Sequence, residues 1–153
     1  AWSDPGRDGR TLGEAVASAR CLVLDAEALS RLAHGRRSQQ AELIAAVKSM
    51  TDGVEVDVLT SSAVLAELLD GKRDAGVWSA LRRHQVARCE VDDDVATRAG
   101  HLLTEADMDS SNAVDAFGAV TAALRSPAIV VTGDVADLRA LTADLPDVTV
   151  YSI

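Results

Sequence analysis

The sequence is poor in three kinds of feature, and each shortage excludes a class of protein. Only two of the 153 residues are cysteines, Cys21 and Cys89, and both lie in apolar runs, so we expect reduced core thiols. Aromatic residues make up 3% of the chain, which is too few to stack successive nucleic-acid bases on a platform. No run approaches the roughly 20 apolar residues that a membrane-spanning helix needs.

Positive charge is also scarce. The chain has 15 lysines and arginines against 24 aspartates and glutamates, which gives a formal net charge of −9. This balance argues against a protein that holds nucleic acid by bulk electrostatics, but not against an enzyme that meets nucleic acid through bound metal. The polar opening of residues 1–10 lacks the apolar middle region of a signal peptide, so we expect a cytoplasmic protein.

Length and composition predict one globular domain with a proper core, since 48% of the residues are hydrophobic. Strand-like and helix-like segments alternate without internal repeats, which predicts an α/β fold built from βαβ units. We expect residues 1–20 to be an amino-terminal arm with a short helix over 12–19, and residues 21–153 to be the folded domain. The predicted strands are 21–24, 54–59, 86–91, 128–131 and 148–151, and the predicted helices are 26–33, 38–51, 63–69, 74–83, 92–104, 113–124 and 135–143, with a loop at 108–111. We expect Thr60, Ser61 and Ser62 to start the helix whose body is 63–69.

Four acidic residues stand where a carboxylate is costly. Asp25 directly follows the apolar strand 21–24, and Asp134 follows a later strand; open α/β sheets carry their ligand sites at such strand ends. Glu67 and Asp115 lie on predicted helices with apolar neighbours on both sides. An ionised carboxylate that is buried must be paired or must bind metal. Any one of these acids could instead be a helix cap or a helix-surface residue.

Taken together, the four acids favour a metal site. Carboxylates that meet at one sheet edge raise each other's pKa unless a cation enters. Mg²⁺ and Mn²⁺ prefer oxygen ligands of this kind. Four carboxylates carry a formal charge of −4, which two divalent ions would neutralise. The sequence therefore predicts one or two Mg²⁺ or Mn²⁺ ions.

The acids lie in the stretches VLDAEAL, SSAVLAELL, NAVDAFGAVTAA and VVTGDVADLRAL, in that order. These stretches resemble the four motifs of PIN-domain nucleases, and most closely those of the VapC toxin ribonucleases of bacterial toxin–antitoxin pairs. The resemblance covers roughly residues 21–151. It implies a three-layer PIN-like fold, with a mostly parallel sheet of four or five strands flanked by helices. It also implies Mg²⁺- or Mn²⁺-dependent hydrolysis of RNA phosphodiester bonds.

The resemblance assigns roles residue by residue. It makes Asp25, Glu67, Asp115 and Asp134 the catalytic and metal-binding acids, with Thr132 and Asp137 as supporting residues. The chain departs from the family at two positions. Ala26 stands where Thr or Ser is common, which removes a hydroxyl support. Glu27 stands where a small polar residue is usual, and it either adds a carboxylate or faces solvent.

The resemblance also implies partners. An antitoxin protein with a basic tail suits the chain's net charge of −9. Homodimers are common in the family. A ribonuclease must contact phosphate, and Lys72 and Arg73, which follow the helix of Glu67, are the first candidates for RNA contact.

Two other functions are open to this sequence. One is a catalytically weak or inactive PIN-fold binding module without an antitoxin partner, for which Ala26 and Glu27 speak. The other is a receiver-like protein that uses Asp25 as a phosphate acceptor. The receiver-like function needs a lysine near a late strand end, but no lysine follows Lys72.

Overall fold

The computed structural model describes residues 14–15, 18–51 and 56–153, so half of the predicted short helix over 12–19 lies outside the described residues. The strands are β1 (Cys21–Leu24), β2 (Asp57–Ser61), β3 (Ala87–Cys89), β4 (Ala128–Thr132) and β5 (Val148–Ser152). The helices in these ranges are α1 (Ala26–His34), α2 (Arg37–Thr51), α3 (Val64–Leu68), α4 (Asp74–Arg83), α5 (Asp93–Glu105), α6 (Ala113–Leu124) and α7 (Val135–Leu141), with a 3-10 turn at Ser110–Asn112.

All five strands form one parallel sheet in the order β3-β2-β1-β4-β5. Strand β1 lies at the centre because its four apolar residues are buried on both faces, as a parallel core strand requires. In the register of β1 with β4, Leu24 pairs with Val131. The residues that follow β1 and β4 therefore emerge side by side at one edge of the sheet.

Helices cover both faces of the sheet, which confirms the predicted three-layer α/β fold. Alternate residues of β1 point to opposite faces. Leu22 and Leu24 join a core cluster with α1–α4, whereas Cys21 and Val23 join a second cluster with α5–α7. The helix that carries Asp115 therefore packs on the opposite face from the helix that carries Glu67, and the sheet edge lies between them.

The predicted bounds of β2 are wrong at its carboxyl end. Thr60 and Ser61 were expected to begin the next helix, but both are fully buried and pair with β3. The Thr60 hydroxyl also donates to the Leu24 carbonyl at 2.8 Å, which ties β2 to the centre of the sheet. Because the strand is longer, helix α3 keeps only five residues and not the predicted 63–69. The predicted strand residues 54–55 lie outside the described part.

Two smaller predictions are also wrong. The expected loop at 108–111 runs into the 3-10 turn, which the Asp109 carboxylate caps by accepting from the Ser111 N–H at 2.9 Å. Cys89 is only half-buried because β3 is an edge strand, whereas Cys21 is a buried core thiol as expected; both are free. Among the helices of the described residues, none is long and apolar enough to cross a membrane.

Candidate functional site

Asp25 lies at the carboxyl end of β1 and caps helix α1. Its Oδ1 accepts a hydrogen bond from the Ala28 N–H at 2.7 Å, and its Oδ2 accepts one from the Thr132 hydroxyl. Burial raises the pKa of Asp25, the hydrogen bonds from Thr132 and Ala28 oppose that rise, and the Glu27 charge adds to it. The Asp25 carboxylate therefore caps helix α1 and also stands at the sheet edge where the sequence predicts the metal site.

Thr132 links the ends of two motifs. It is the last residue of β4 and is fully buried. Its hydroxyl donates to Asp25 and accepts from the Asp134 N–H at 2.8 Å. Asp134 in turn caps helix α7, with its Oδ1 3.5 Å from the Asp137 N–H. The Thr132 hydroxyl therefore holds the side chain of Asp25 and the backbone of Asp134, and its supporting role in a catalytic site stays a prediction.

Asp115 lies in the first turn of α6 and is half-buried. Burial is the largest cause that raises its pKa, and the charges of neighbouring acids add to it, bringing the pKa to about 6. The acids that act on it are Asp25, Asp134, Glu67 and Asp137, in decreasing order of effect. All three other members of the predicted quartet are thus near enough to Asp115 to repel its charge.

Glu67 and Asp134 are exposed, which corrects the expectation that all four acids sit in apolar surroundings. Helix α3 is a little over one turn long, so it has no wide buried face that could enclose Glu67. Asp134 stands at the start of α7, where its exposed side chain caps the helix. Burial therefore raises the pKa of Asp25 and of Asp115. The exposed Glu67 and Asp134 contribute negative charge at the edge of the site.

Asn112 lies near Asp115 in the sequence, where a role in supporting the site was one prediction and a cap or loop role the favoured one. Its Nδ2 donates to the Asp137 Oδ2 at 2.9 Å, across 25 residues of chain. The sequence favoured a cap or loop role for Asn112, yet it makes no side-chain cap to α6. Its position three residues before Asp115, on the same turn of helix, was the available signal. Asn112 orients Asp137 and Thr132 orients Asp25, which are two of the acids that act on Asp115.

Glu27 contacts the loop between β4 and α7. A Cβ placed on Gly133 would lie 1.9 Å from the Glu27 Oε2, so this carboxylate packs directly over the glycine. The Glu27 Oε1 also accepts from the Arg31 Nη2 at 2.9 Å. Of the two roles that the sequence left open for Glu27, a carboxylate beside the site fits these contacts, although half of the side chain is exposed.

Lys72 and Arg73, the predicted RNA contacts, lie in the exposed loop between α3 and α4. Their backbone N–H groups donate to the Asp70 carboxylate at 2.8 Å and 3.1 Å. These hydrogen bonds hold the loop and leave both side chains exposed. Their contact with RNA stays a prediction.

The donor set fits a hard divalent cation by its chemistry. It consists of carboxylate oxygens. Burial is the first cause of the raised pKa of Asp115, and the neighbouring acids add negative charge that a cation would compensate. Within the described residues, no three His, Cys, Asp or Glu side chains stand close enough together to hold a metal ion. Because Glu67 and Asp134 are exposed, their side chains can rotate toward Asp25 and Asp115 without repacking the core.

Comparison with known proteins identifies the fold. No family profile matches the chain, and no curated protein sequence matches it. Among solved structures, a chain of the VapBC2 complex from Rickettsia felis, bound to a DNA fragment from its promoter, matches with a TM-score of 0.58 and 17% identity, covering 87% of this chain and 98% of that one. A chain of a toxin–antitoxin complex from Klebsiella pneumoniae matches with a TM-score of 0.58 and 21% identity, covering 86% and 99%.

These matches confirm, at the level of the fold, the resemblance that the four motifs predict. The chain has a PIN-like α/β fold, and it is structurally similar to a chain of the VapBC2 complex and to a chain of a second toxin–antitoxin complex.

Proposed function

We propose that this protein is a Mg²⁺- or Mn²⁺-dependent endoribonuclease and the toxin of a toxin–antitoxin pair. Residues 21–153 would form the nuclease domain, residues 1–20 an amino-terminal arm, and the protein would act in the cytoplasm. The observation that carries the proposal is the crowding of Asp115 by the charges of Asp25, Glu67 and Asp134 at one edge of a PIN-like sheet.

Asp25, Asp115 and Asp134 would hold one or two metal ions, with Glu67 as a further ligand. When bound, a divalent ion supplies positive charge to the phosphate and lowers the pKa of bound water. Thr132 keeps the Asp25 carboxylate turned toward this place by its hydrogen bond. Glu67, exposed at the rim, has room to orient a water molecule and to accept its proton.

Asp137 has a different role from the four acids that would bind metal. Its Oδ2 is occupied by the Asn112 amide, and its N–H points to the Asp134 carboxylate. We therefore assign it the positioning of Asp134 and the addition of negative charge around Asp115. In-line attack of water on the phosphodiester would leave a 5′-phosphate and a 3′-hydroxyl.

A basic antitoxin segment is the partner that fits this site by charge. The acids present at least four negative charges at one sheet edge, and the whole chain carries −9. A lysine or arginine side chain entering among them would compensate the charge that a metal ion otherwise compensates. A homodimer is the other assembly that we propose from the resemblance.

The proposal is tested by digestion of single-stranded and structured RNA in Mg²⁺, in Mn²⁺ and in EDTA. The wild-type protein is expected to cut only with a divalent ion, and Asp115→Asn to cut at least about a hundredfold more slowly. Asp144→Asn is the matched control, because Asp144 is an exposed acid beyond the far end of α7. An Asp115→Asn protein that cuts as fast as the wild type would defeat the assignment.

The second candidate function is a PIN-fold binding module with little turnover. The spacing of the acids favours it, since no described trio is already close enough to hold a metal ion. Glu27 favours it as well, because it adds a carboxylate beside Gly133 where the family usually has a small polar residue. Calorimetric titration with Mn²⁺ separates the two candidates: the nuclease binds the ion, whereas the binding module does so poorly.

A further inference from the structure

A second concave site opens beside the acids. It is a cavity of about 220 Å³ between α1, α2 and the carboxyl end of β5. Ser152 lines it and is the register partner of Thr132, and the next N–H, that of Ile153, donates to the Thr132 carbonyl at 3.0 Å. The cavity therefore adjoins the strand end that carries Thr132 and Asp134, so a chain bound at the acids could also enter it.

Arg31 joins the cavity to the acidic site. Its Nη2 donates to Glu27, which packs over Gly133 between Thr132 and Asp134. This ion pair uses one of the five N–H donors of the guanidinium. Since Arg31 also lines the cavity, the remaining donors are available there, in a position that Glu27 helps to fix.

The polar groups of the cavity are of mixed kind. Arg31 supplies donors and the Glu42 carboxylate supplies acceptors. The Gln39 Oε1 accepts from the Arg36 N–H at 3.0 Å, which leaves the Gln39 amide N–H groups as donors. Leu43 and Tyr151 provide apolar and aromatic surface. A phosphate would meet only Arg31 favourably and would be repelled by Glu42, whereas a flat base with both donors and acceptors can satisfy the whole set.

The volume and the polar groups of the cavity limit the kind of ligand that it can bind. Sites for whole drug-sized ligands span roughly 300–1,000 Å³, so about 220 Å³ suits one base and not a longer piece of chain. Single-stranded RNA is recognised through splayed bases that are stacked on aromatic or guanidinium planes and bonded along their edges. Guanine carries acceptors at O6 and N7, which pair with arginine, and N–H donors at N1 and N2, which pair with a carboxylate.

We propose that this cavity is a base-recognition site that selects guanine in single-stranded RNA near the bond to be cut, with Arg31 and Glu42 as the residues that read the base. The inference rests on the proposed function and adds a sequence preference to it. Arg31 and Glu42 are recognition residues here, and the acids remain the groups that act on the phosphate.

The test uses the sequence preference of cleavage. A random pool of single-stranded RNA is digested with Mn²⁺ and the new ends are sequenced. The wild type is expected to enrich guanine at one fixed position relative to the cut. Arg31→Ala and Glu42→Gln are each expected to reduce that enrichment roughly tenfold or more, the discrimination of one well-formed base contact. Arg98→Ala is the control, because Arg98 also forms an exposed i,i+4 ion pair, with Asp94, but on α5.

A binding measurement decides the question independently of cleavage. In the Asp115→Asn background with EDTA, fluorescence anisotropy compares a labelled guanine-containing oligonucleotide with its adenine counterpart. Tighter binding of the guanine form, lost on Arg31→Ala and kept on Arg98→Ala, supports the site. Equal binding of both forms, or a guanine preference unchanged in Arg31→Ala and Glu42→Gln, overturns it and leaves the cavity to a protein segment. If the wild type binds guanine selectively but never cuts RNA, the nuclease proposal fails and the base site stands.

Discussion

The Thr132 hydroxyl donates to the Asp25 carboxylate and accepts from the Asp134 N–H, so one buried side chain connects the first and last acidic motifs. Thr132 is the last residue of the buried strand β4, and Asp25 directly follows the neighbouring strand β1. A hydroxyl at this position can serve both partners, because it is at once a donor and an acceptor. The orientation of Asp25 is therefore predicted to depend on Thr132.

Thr132→Val keeps the shape of the side chain and removes both hydrogen bonds. Asp25 loses a bond that holds down its pKa, and the Asp134 N–H loses its acceptor. We expect the metal-free protein to lose about 1–3 kcal/mol in its free energy of unfolding and the affinity for Mn²⁺ to fall by roughly 10–100-fold. Urea denaturation and calorimetry measure the two effects. Thr132→Ser, which retains the hydroxyl, should keep most of the stability and most of the affinity for Mn²⁺. Equal losses in the Val and Ser variants would show that the hydroxyl contributes to neither.

The raised pKa of Asp115 predicts how stability depends on pH. In the folded protein Asp115 holds its proton up to a pH of about 6, whereas the ordinary pKa is 3.8. Between these values the folded state binds more protons than the unfolded state, so the metal-free protein should lose stability as the pH rises through this window. The contribution of Asp115 is complete below pH 3.8 and is lost above about 6.

Asp115→Asn should remove this part of the pH dependence. We expect the variant to be more stable than the wild type above pH 6 by about 1 kcal/mol, a value reduced from the full shift because the carboxylate is partly exposed. Urea denaturation in EDTA from pH 4 to pH 7.5 measures the difference. Asp144→Asn should follow the wild-type curve. A variant that is less stable than the wild type at neutral pH would contradict the raised pKa of Asp115, to which burial and the neighbouring acids both contribute.

Gly133 leaves room for the Glu27 carboxylate. A Cβ at this position would meet that carboxylate at 1.9 Å, so Gly133→Ala forces the Glu27 side chain and its bond to Arg31 to move. Because this carboxylate is the far end of a flexible, half-exposed side chain, we expect a destabilisation of at most about 1 kcal/mol, the value of an exposed ion pair. Gly100→Ala is the matched control, since nothing lies within 4 Å of its Cβ and it is in a helix, where alanine is favoured by roughly 0.5–1 kcal/mol.

Replacing Glu27 by alanine tests whether the Glu27 carboxylate causes the loss of stability in Gly133→Ala. The double substitution Gly133→Ala with Glu27→Ala should recover most of the stability that Gly133→Ala loses, because the clashing carboxylate is gone. Thermal denaturation of the four proteins in the cycle measures the coupling between the two positions. Additive effects would show that the cost comes from the backbone and not from Glu27.

The fold could be predicted largely from the pattern of apolar residues. Runs such as Cys21–Leu24 and Ala128–Thr132 are continuous because both faces of a parallel strand are buried, and the helices follow from their periodicity. Strand β2 was misplaced because Thr60 and Ser61 read as helix-starting residues. Only pairing with β3, which is a tertiary contact, shows that they continue the strand.

The candidate site could be predicted in its residue types but not in its contacts. The acids were marked by their position after strands and within apolar helices. The exposure of Glu67 depends on the length of α3, which the misplaced end of β2 obscured. The contacts of Glu27 with Gly133 and of Asn112 with Asp137 join residues that are 106 and 25 positions apart, and no local pattern encodes such distances.

The central claim is that the carboxylates of Asp25, Glu67, Asp115 and Asp134 gather around a divalent cation. Anomalous diffraction from crystals soaked in Mn²⁺ tests it most directly. The account predicts an anomalous peak with oxygens of Asp25 and Asp115 at about 2.1 Å and with Asp134 or Glu67 turned inward to complete the shell. A Mn²⁺-saturated crystal with no peak between these acids, or with peaks only on surface carboxylates elsewhere, would contradict it.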